Sequence, residues 1–423
     1  MLKESIRASF GLFLTMAAVC DAAEDQSRTI KFGMSTALSG PSQYLGLSIH
    51  KGMNTYFQEV NSGVNNDEIG LLGRQIELLV MDDFYDPIIA AENANKLIKD
   101  EKVAAIVGNV GTPTFERIWQ TYYEANSEAE LAEEQKIAIY GAFSGAALLR
   151  ESDKSNYVFN YRASYDQEMS VIVKHIVQDS GISPNQIAFL LQGEEGQERN
   201  QPDSYGAAGL AAAAKALEVA PYYFSDSSSR LTQAIYIRNQ LETKNAIEEI
   251  LKLQRNQEAP QAIIIVGSYQ ASASFIEFMH RLLPTTQFYN LSFAGAGELA
   301  RAMTDSNITD RVYMTQVVSM AEDEKMPADL VEREGYLAAR ELVRAIRNCF
   351  DQALYSEMNP ASIKHALTSY FQYRESCKTS TPAPITDNTG NQLSNHVELS
   401  KLNNGVWVNA MQQVTTATKF EAP

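Results

Sequence analysis

The stretch Val103-Ala-Ala-Ile-Val-Gly-Asn-Val-Gly-Thr-Pro-Thr114 is the part of this 423-residue sequence best suited to holding a small ligand. Its apolar run reads as a buried strand ending at Val107. Gly108 and Gly111 permit a tight loop, and Thr112 reads as the N-cap of a helix with Pro113 at its first position. Free backbone N–H groups at such a helix start, with the Thr112 and Thr114 hydroxyls, suit a small anion such as a carboxylate. A second loop, Tyr140-Gly-Ala-Phe-Ser-Gly145, ends the next strand in the same manner and offers Ser144 and the backbone around Ala142. Across from them, Tyr205 starts a helix, and Tyr269 follows the strand ending in Gly267. Asp166 is either a charge partner for a ligand amine or a first-turn helix acid. Each loop taken alone fits a well-capped structural helix equally well; two adjacent ones, at the carboxyl ends of strands where α/β folds hold ligands, point to a crevice.

Catalytic chemistry has no comparable support. The five histidines are dispersed, and none has metal-ligand spacing. No Gly-x-Ser-x-Gly elbow, His-Glu-x-x-His or Walker-type loop occurs, and Ala294-Gly-Ala-Gly297 lacks the third glycine of a dinucleotide fingerprint. Asp82, Asp83 and Asp86 cluster after a strand and read as solvent-facing carboxylates. No nucleophile meets a base and an orienting partner. The expectation is a protein that is not an enzyme, with no catalytic residue, no metal and no cofactor. A net charge of −17 argues against nucleic acid as a partner, because phosphates repel an acidic surface.

The elements that position these loops alternate along the chain. Strand-like runs fall at Ile30–Ser35, Ile76–Met81, Val103–Val107, Ile137–Ala142, Tyr157–Tyr161, Ile187–Leu191, Tyr222–Ser225, Ala262–Val266, Phe288–Phe293 and Val312–Val318. Several are apolar at every position, as strands buried on both faces of a parallel sheet are. Helical stretches lie between them at Tyr44–Val60, Pro87–Asp100, Asp166–Gln178, Tyr205–Leu217, Ala271–Leu283 and Ala328–Phe350. In the first, Leu47, Met53, Phe57 and Val60 mark the apolar face. The alternation predicts an α/β fold with two doubly wound sheets, closed by a hairpin over His396–Val408 turning at Asn404-Gly405. Ala125–Lys136, Gly193–Asp203 and Lys378–Asn395 read as surface insertions.

Residues 1–22 read as a secretory signal peptide, with Lys3 and Arg7 before an apolar run and small residues at Ala22 and Ala23. Lipidation at Cys20 is disfavoured by Val19, where a small residue is expected. The remaining cysteines, Cys349 and Cys377, either bridge in an oxidising compartment or stay as two separate buried thiols.

Together these residues resemble the type I periplasmic solute-binding proteins of the leucine/isoleucine/valine group. The resemblance spans Ile30 to Val408 and rests on Leu38-Ser-Gly-Pro41, Gly46, Gly52, Asn61, Gly73-Arg-Gln-Ile-Glu77, Asp82-Asp83, Asp86-Pro87 and Gly108 in order. It implies two Rossmann-like lobes with parallel sheets flanked by helices, joined by three crossing hinge segments. Lobe 1 would be 29–163 plus 319–388 and lobe 2 164–318 plus 389–420. The crossings would fall near Ala163–Ser164, Gln316–Met320 and Asp387–Leu399. Members close on a small molecule in the periplasm and present it to an ABC permease in the inner membrane; a sensing receptor that passes its closed state to a signalling partner is the alternative.

Position by position, Thr112, next to Gly111, falls on the family's ligand-binding serine. Ala142 and Ser144, flanking Phe143, fall on the alanine and threonine that hold an amino acid's carboxylate and amine. Asp166, Tyr205 and Tyr269 fall on positions lining the cleft. Departures from the pattern are Leu45 in place of an aromatic, Pro113 in place of a serine, and Phe143 in place of a small residue. Ala296 stands where amino-acid binders carry the acid that pairs with the ammonium, and Glu298 is two residues away. Losing that charge-assisted bond costs an amino-acid ligand about 1.5–3 kcal/mol. The expected ligand class therefore extends to related carboxylates and amides.

Overall fold

The computed structural model describes residues 29–64, 69–124, 137–194, 204–219, 232–254, 259–352, 354–355, 357–373 and 391–410. The expected signal segment, Cys20, the strand Tyr222–Ser225, the insertion Ala125–Lys136 and Cys377 lie outside them. So do the other two insertions, apart from Gly193, Glu194 and 391–395.

The chain begins with β1 (Thr29–Thr36), α1 (Gln43–Ser62), β2 (Gln75–Asp82) and α2 (Pro87–Lys99). It continues through β3 (Ala105–Val107), α3 (Thr112–Trp119), β4 (Ala138–Tyr140) and β5 (Val158–Phe159). These five strands form one parallel sheet, ordered β2-β1-β3-β4-β5. After a first crossing come α4 (Tyr165–Lys174), β6 (Ile187–Gly193), α5 (Tyr205–Ala216), β7 (Thr232–Ile237) and α6 (Lys244–Gln254). Then follow β8 (Ala262–Val266), α7 (Tyr269–Leu282), β9 (Gln287–Asn290), α8 (Ala296–Asp305) and β10 (Val312–Gln316). A second crossing leads to α9 (Leu330–Cys349) and α10 (Pro360–Tyr373), and the hairpin β11 (Glu398–Asn403) and β12 (Val406–Asn409) ends the described chain. The second sheet, ordered β12-β11-β10-β9-β8-β6-β7, is parallel from β7 to β10 and antiparallel at the hairpin.

The buried pattern follows the apolar runs. All five residues of β8 are buried, as are all five of β10. On α1 the inner face is Leu45, Ile49, Met53, Phe57 and Val60, while Leu47 is 45% exposed, so that residue belongs to the outer face. α9 returns to the first sheet and crosses α1 at glycines. A Cβ on Gly52 would lie 1.9 Å from the Glu332 carbonyl oxygen, and one on Gly335 2.5 Å from that of Ile49, so only glycines permit this backbone approach. Strand β7 was not expected from the sequence. Of its six residues only Ala234 and Tyr236 are buried, and it pairs with β6 at the sheet edge.

Two of the chain passages between the sheets lie side by side. Asn160 N–H donates to the Asn391 carbonyl (2.7 Å), and Leu393 and Ser394 N–H donate back to Asn160 and Tyr161. Cys349 is disulfide-bonded. No helix among the described residues is long and apolar enough to cross a membrane.

Candidate functional site

The loops after β3 and β4 are stitched to each other by backbone. Phe143 N–H donates to the Asn109 carbonyl (2.8 Å) and Gly111 N–H to that of Phe143 (3.2 Å). The N-cap of α3 is Gly111, with φ +106, and not Thr112. Thr112 is thereby the first helical residue, and its hydroxyl is freed to lie 2.9 Å from that of Ser144. Thr114 is not part of this pair: its hydroxyl donates to the backbone carbonyls of Val110 and Gly111, which removes it from the expected anion site. Thr112, Ser144 and Phe143 are fully enclosed, and Ala142 nearly so.

The second sheet faces this pair with aromatic rings. Phe293, just after β9, lies 4.3 Å from the Tyr205 ring and 5.4 Å from Phe143 of the opposite lobe. Tyr205 packs 5.4 Å from Tyr165, and both phenols are fully buried. The Tyr205 hydroxyl has no hydrogen-bond partner among the described residues; that of Tyr165 feels Ser144 without hydrogen-bond geometry. Tyr269 sits at the rim, edge-on to Tyr44 of the first lobe at 5.5 Å. Tyr44 donates to Asp329 (2.5 Å) and accepts from Gly297 N–H (3.2 Å), and burial with the nearby Asp329 charge pushes its pKa far up. Ala296 begins α8 and its carbonyl accepts from the Trp407 indole (2.8 Å). Asp166 is not brought to the cluster: it pairs with Lys215 of α5 at 2.5 Å, where both side chains reach solvent.

Three charged residues unmarked in the sequence lie beneath the rings. Arg162, in the first crossing, is 1% exposed and stacks 4.3 Å from the centre of Phe143. Its Nη2 donates to Ser292 Oγ, while Glu334 Oε1 and Glu168 Oε1 stand 3.5 and 3.8 Å from the guanidinium, at ion-pair distance without hydrogen-bond geometry. Glu168 Oε2 in turn accepts from Ser292 N–H (2.9 Å) and the Thr315 hydroxyl. Burial works to lower the Arg162 pKa, and the two carboxylates outweigh it, leaving it raised. Burial pushes Glu334 up to about 7 against the pull of Arg162. The hint in the sequence was a lone arginine between an apolar strand and a helix cap, with no local partner to give it meaning.

The Asp82–Asp86 turn also differs from expectation. Asp83 is fully buried, accepting from Ser35 Oγ and Tyr85 N–H (both 2.9 Å), and burial raises its pKa to about 7 despite those bonds. Asp82 accepts from Ser39, Leu38 N–H and Phe84 N–H, and Asp86 caps α2 through Ile88 and Ile89 N–H. These carboxylates hold a turn and do not merely face water. The turn places Phe84 and Tyr85 at φ +56 and +57, an uncommon conformation for bulky residues. Tyr85 is fully buried, crosses to the second lobe, and receives a 3.2 Å bond from Gln192 Nε2. Arg238 donates to its carbonyl and Asn239 to that of Phe84 (2.9 Å).

Comparison with known proteins agrees with this architecture. Residues 29–229 match the family model described as periplasmic binding protein. A possible leucine/isoleucine/valine-binding protein from Rhodopirellula baltica SH 1 is 29% identical, with 90% of this chain and 96% of that chain covered and a TM-score of 0.71. At 14% identity, a branched chain amino acid ABC transporter from Thermus thermophilus with bound valine shares the fold (92% and 97% covered, TM-score 0.67). So does a fatty acid ABC transporter substrate-binding protein from Thermomonospora curvata, at 18% identity (90% and 92% covered, TM-score 0.65). No curated protein matches the sequence. The α/β fold of two helix-flanked sheets is thus borne out, and the family model and the 29%-identical structure agree with the expected resemblance to periplasmic binding proteins.

Proposed function

We propose that this relative of the type I periplasmic binding proteins is an exported solute-binding protein that closes on an amino acid or related carboxylate or amide and delivers it to an ABC permease. The observation that carries the reading is the Thr112–Ser144 hydroxyl pair, enclosed at two adjacent strand ends and faced across the lobes by Tyr205, whose buried hydroxyl has no partner among the described residues. Burying a phenol hydroxyl without a partner is unfavourable, so such a group marks a place where a polar ligand is bound. Residues 1–22 are the export signal in this reading. The lobes are 29–163 plus 319–388 and 164–318 plus 389–420, with rotation absorbed by the crossing segments.

A thermal-shift screen of the purified protein against amino acids, short carboxylates, aromatic acids and amides tests it. A compound at a hundred times its Kd stabilises by about 2.7 kcal/mol, a readily visible shift. A hit abolished by Thr112→Ala or Ser144→Ala supports the site. A hit indifferent to both substitutions moves the site elsewhere, and a screen silent across all four classes counts against the proposed ligand class.

A further inference from the structure

Resting on that solute-binding reading, we propose that Tyr85 is a ligand-binding residue whose hydroxyl donates a hydrogen bond to an oxygen of the solute, as the last member of a relay that runs across both lobes. The relay starts at the backbone N–H of Ser268, which donates to the Tyr236 hydroxyl at 3.0 Å. A backbone N–H can only donate, so Tyr236 uses its own proton on Gln192 Oε1, 3.1 Å away. That contact holds the amide with its Nε2 toward Tyr85, where it donates at 3.2 Å. Tyr85 is therefore an acceptor on its second-lobe side, and its proton has no acceptor among the described residues.

The hydroxyl is also in the right place. A Cβ on Gly111 would lie 2.1 Å from Tyr85 Cε2 and 3.0 Å from its oxygen, so the phenol rests on the backbone that opens α3, one residue from Thr112. Gly111 is required twice, by its φ of +106 and by this contact. Two left-handed aromatic residues in succession, each anchored by an aspartate on its N–H and by Arg238 or Asn239 on its carbonyl, show that the turn is held in a costly conformation in order to present this ring. Tyr85 follows a strand of the first sheet and Gln192 lies on β6 of the second, so the donor is oriented only while the lobes are together. The ligand oxygen that ends the relay distinguishes carboxylates and carbonyl compounds from solutes that carry only donors.

Titration calorimetry on the wild type, Tyr85→Phe and Thr112→Ala, with L-leucine, phenylacetate and phenylacetamide as probes, tests this. Tyr85→Phe should weaken a probe that the wild type binds by about tenfold to a hundredfold. The loss should be larger for phenylacetate than for phenylacetamide, because a charged acceptor strengthens the bond. A purely structural Tyr85 would weaken both alike. Equal losses, or unchanged affinity in Tyr85→Phe where Thr112→Ala abolishes binding, overturn the assignment and leave the solute-binding reading intact. Wild-type indifference to all three probes counts instead against that reading. A crystal structure of the full chain then decides on Tyr85: a non-protein oxygen within hydrogen-bond distance of its hydroxyl, opposite Gln192, supports the proposal, and a protein carbonyl in that place sinks it.

Discussion

Two of the contacts that join the lobes of this protein are built from different materials. At the hinge, Arg162, Glu168 and Glu334 bring three ionisable groups together almost wholly out of water, at 3.5 and 3.8 Å. At the turn after β2, the side-chain contact is a chain of neutral donors and acceptors from Ser268 to Tyr85, with Arg238 donating to the Tyr85 backbone carbonyl beside it. A buried charge cluster is costly to form and costlier to break, because each removed partner strands another charge. A neutral relay forms and separates at about 1 kcal/mol per bond. In the proposed lobe closure the hinge would stay assembled through the rotation and the far contact would open, and the chemistry of each suits that task.

Breaking the charged side should have the largest effect. Arg162→Met leaves Glu168 and Glu334 uncompensated and should cost about 3–5 kcal/mol in urea unfolding; adding Glu334→Gln should recover part of it, and no recovery would mean that the pair is not coupled. Gly111→Ala comes next, at about 2–4 kcal/mol, since it strains the backbone and drives a methyl group into Tyr85. Gln192→Leu strands the Tyr85 and Tyr236 phenols and should cost about 1–3 kcal/mol, measured in the same way. A loss as large as that of Arg162→Met would erase the contrast between the two contacts.

A pH dependence sharpens the comparison further. The Glu334 carboxyl is raised from 4.5 to about 7 in the folded protein, so the fold binds its proton more tightly than the unfolded chain does. Its contribution is fully present below pH 4.5 and is lost as pH rises through 7. The stability of the wild type relative to Glu334→Gln should therefore fall as pH rises through that window. Asp83, raised from 3.8 to about 7, behaves likewise and is read out by Asp83→Asn. Burial lowers the His50 and His175 pKa values, which acts in the opposite direction below pH 6.5, so each carboxylate is isolated by comparing variants. A flat difference for Glu334→Gln would show that its proton is not held by the hinge.

The fold was legible because several of its strands are apolar at every position and its helices are periodic. Nine of the ten expected strands correspond to observed ones; the tenth, Tyr222–Ser225, lies outside the described residues. The amphipathic edge strand β7 went unread, since half-buried residues carry a weak signal. Within the candidate site, Thr112 and Ser144 were readable because hydroxyls after a strand in a glycine-rich loop have a local pattern. Thr114 was misjudged because its hydroxyl finds a carbonyl one helical turn back, a choice set by the conformation of Gly111.

The sequence by itself determined which segments are buried on both faces, where the glycine-rich loops end their strands, and the family the chain resembles. Each of these depends on neighbours within a few residues. Only the tertiary structure decided that Asp166 turns to Lys215, that Arg162 faces Glu334 and Ser292, and that Tyr85 meets Gln192. Tyr85 and Gln192 are 107 residues apart in the chain, and Arg162 and Ser292 are 130 apart. A polar side chain's role is set by whichever donor or acceptor the folded chain brings within about 3 Å, and local pattern holds no record of it.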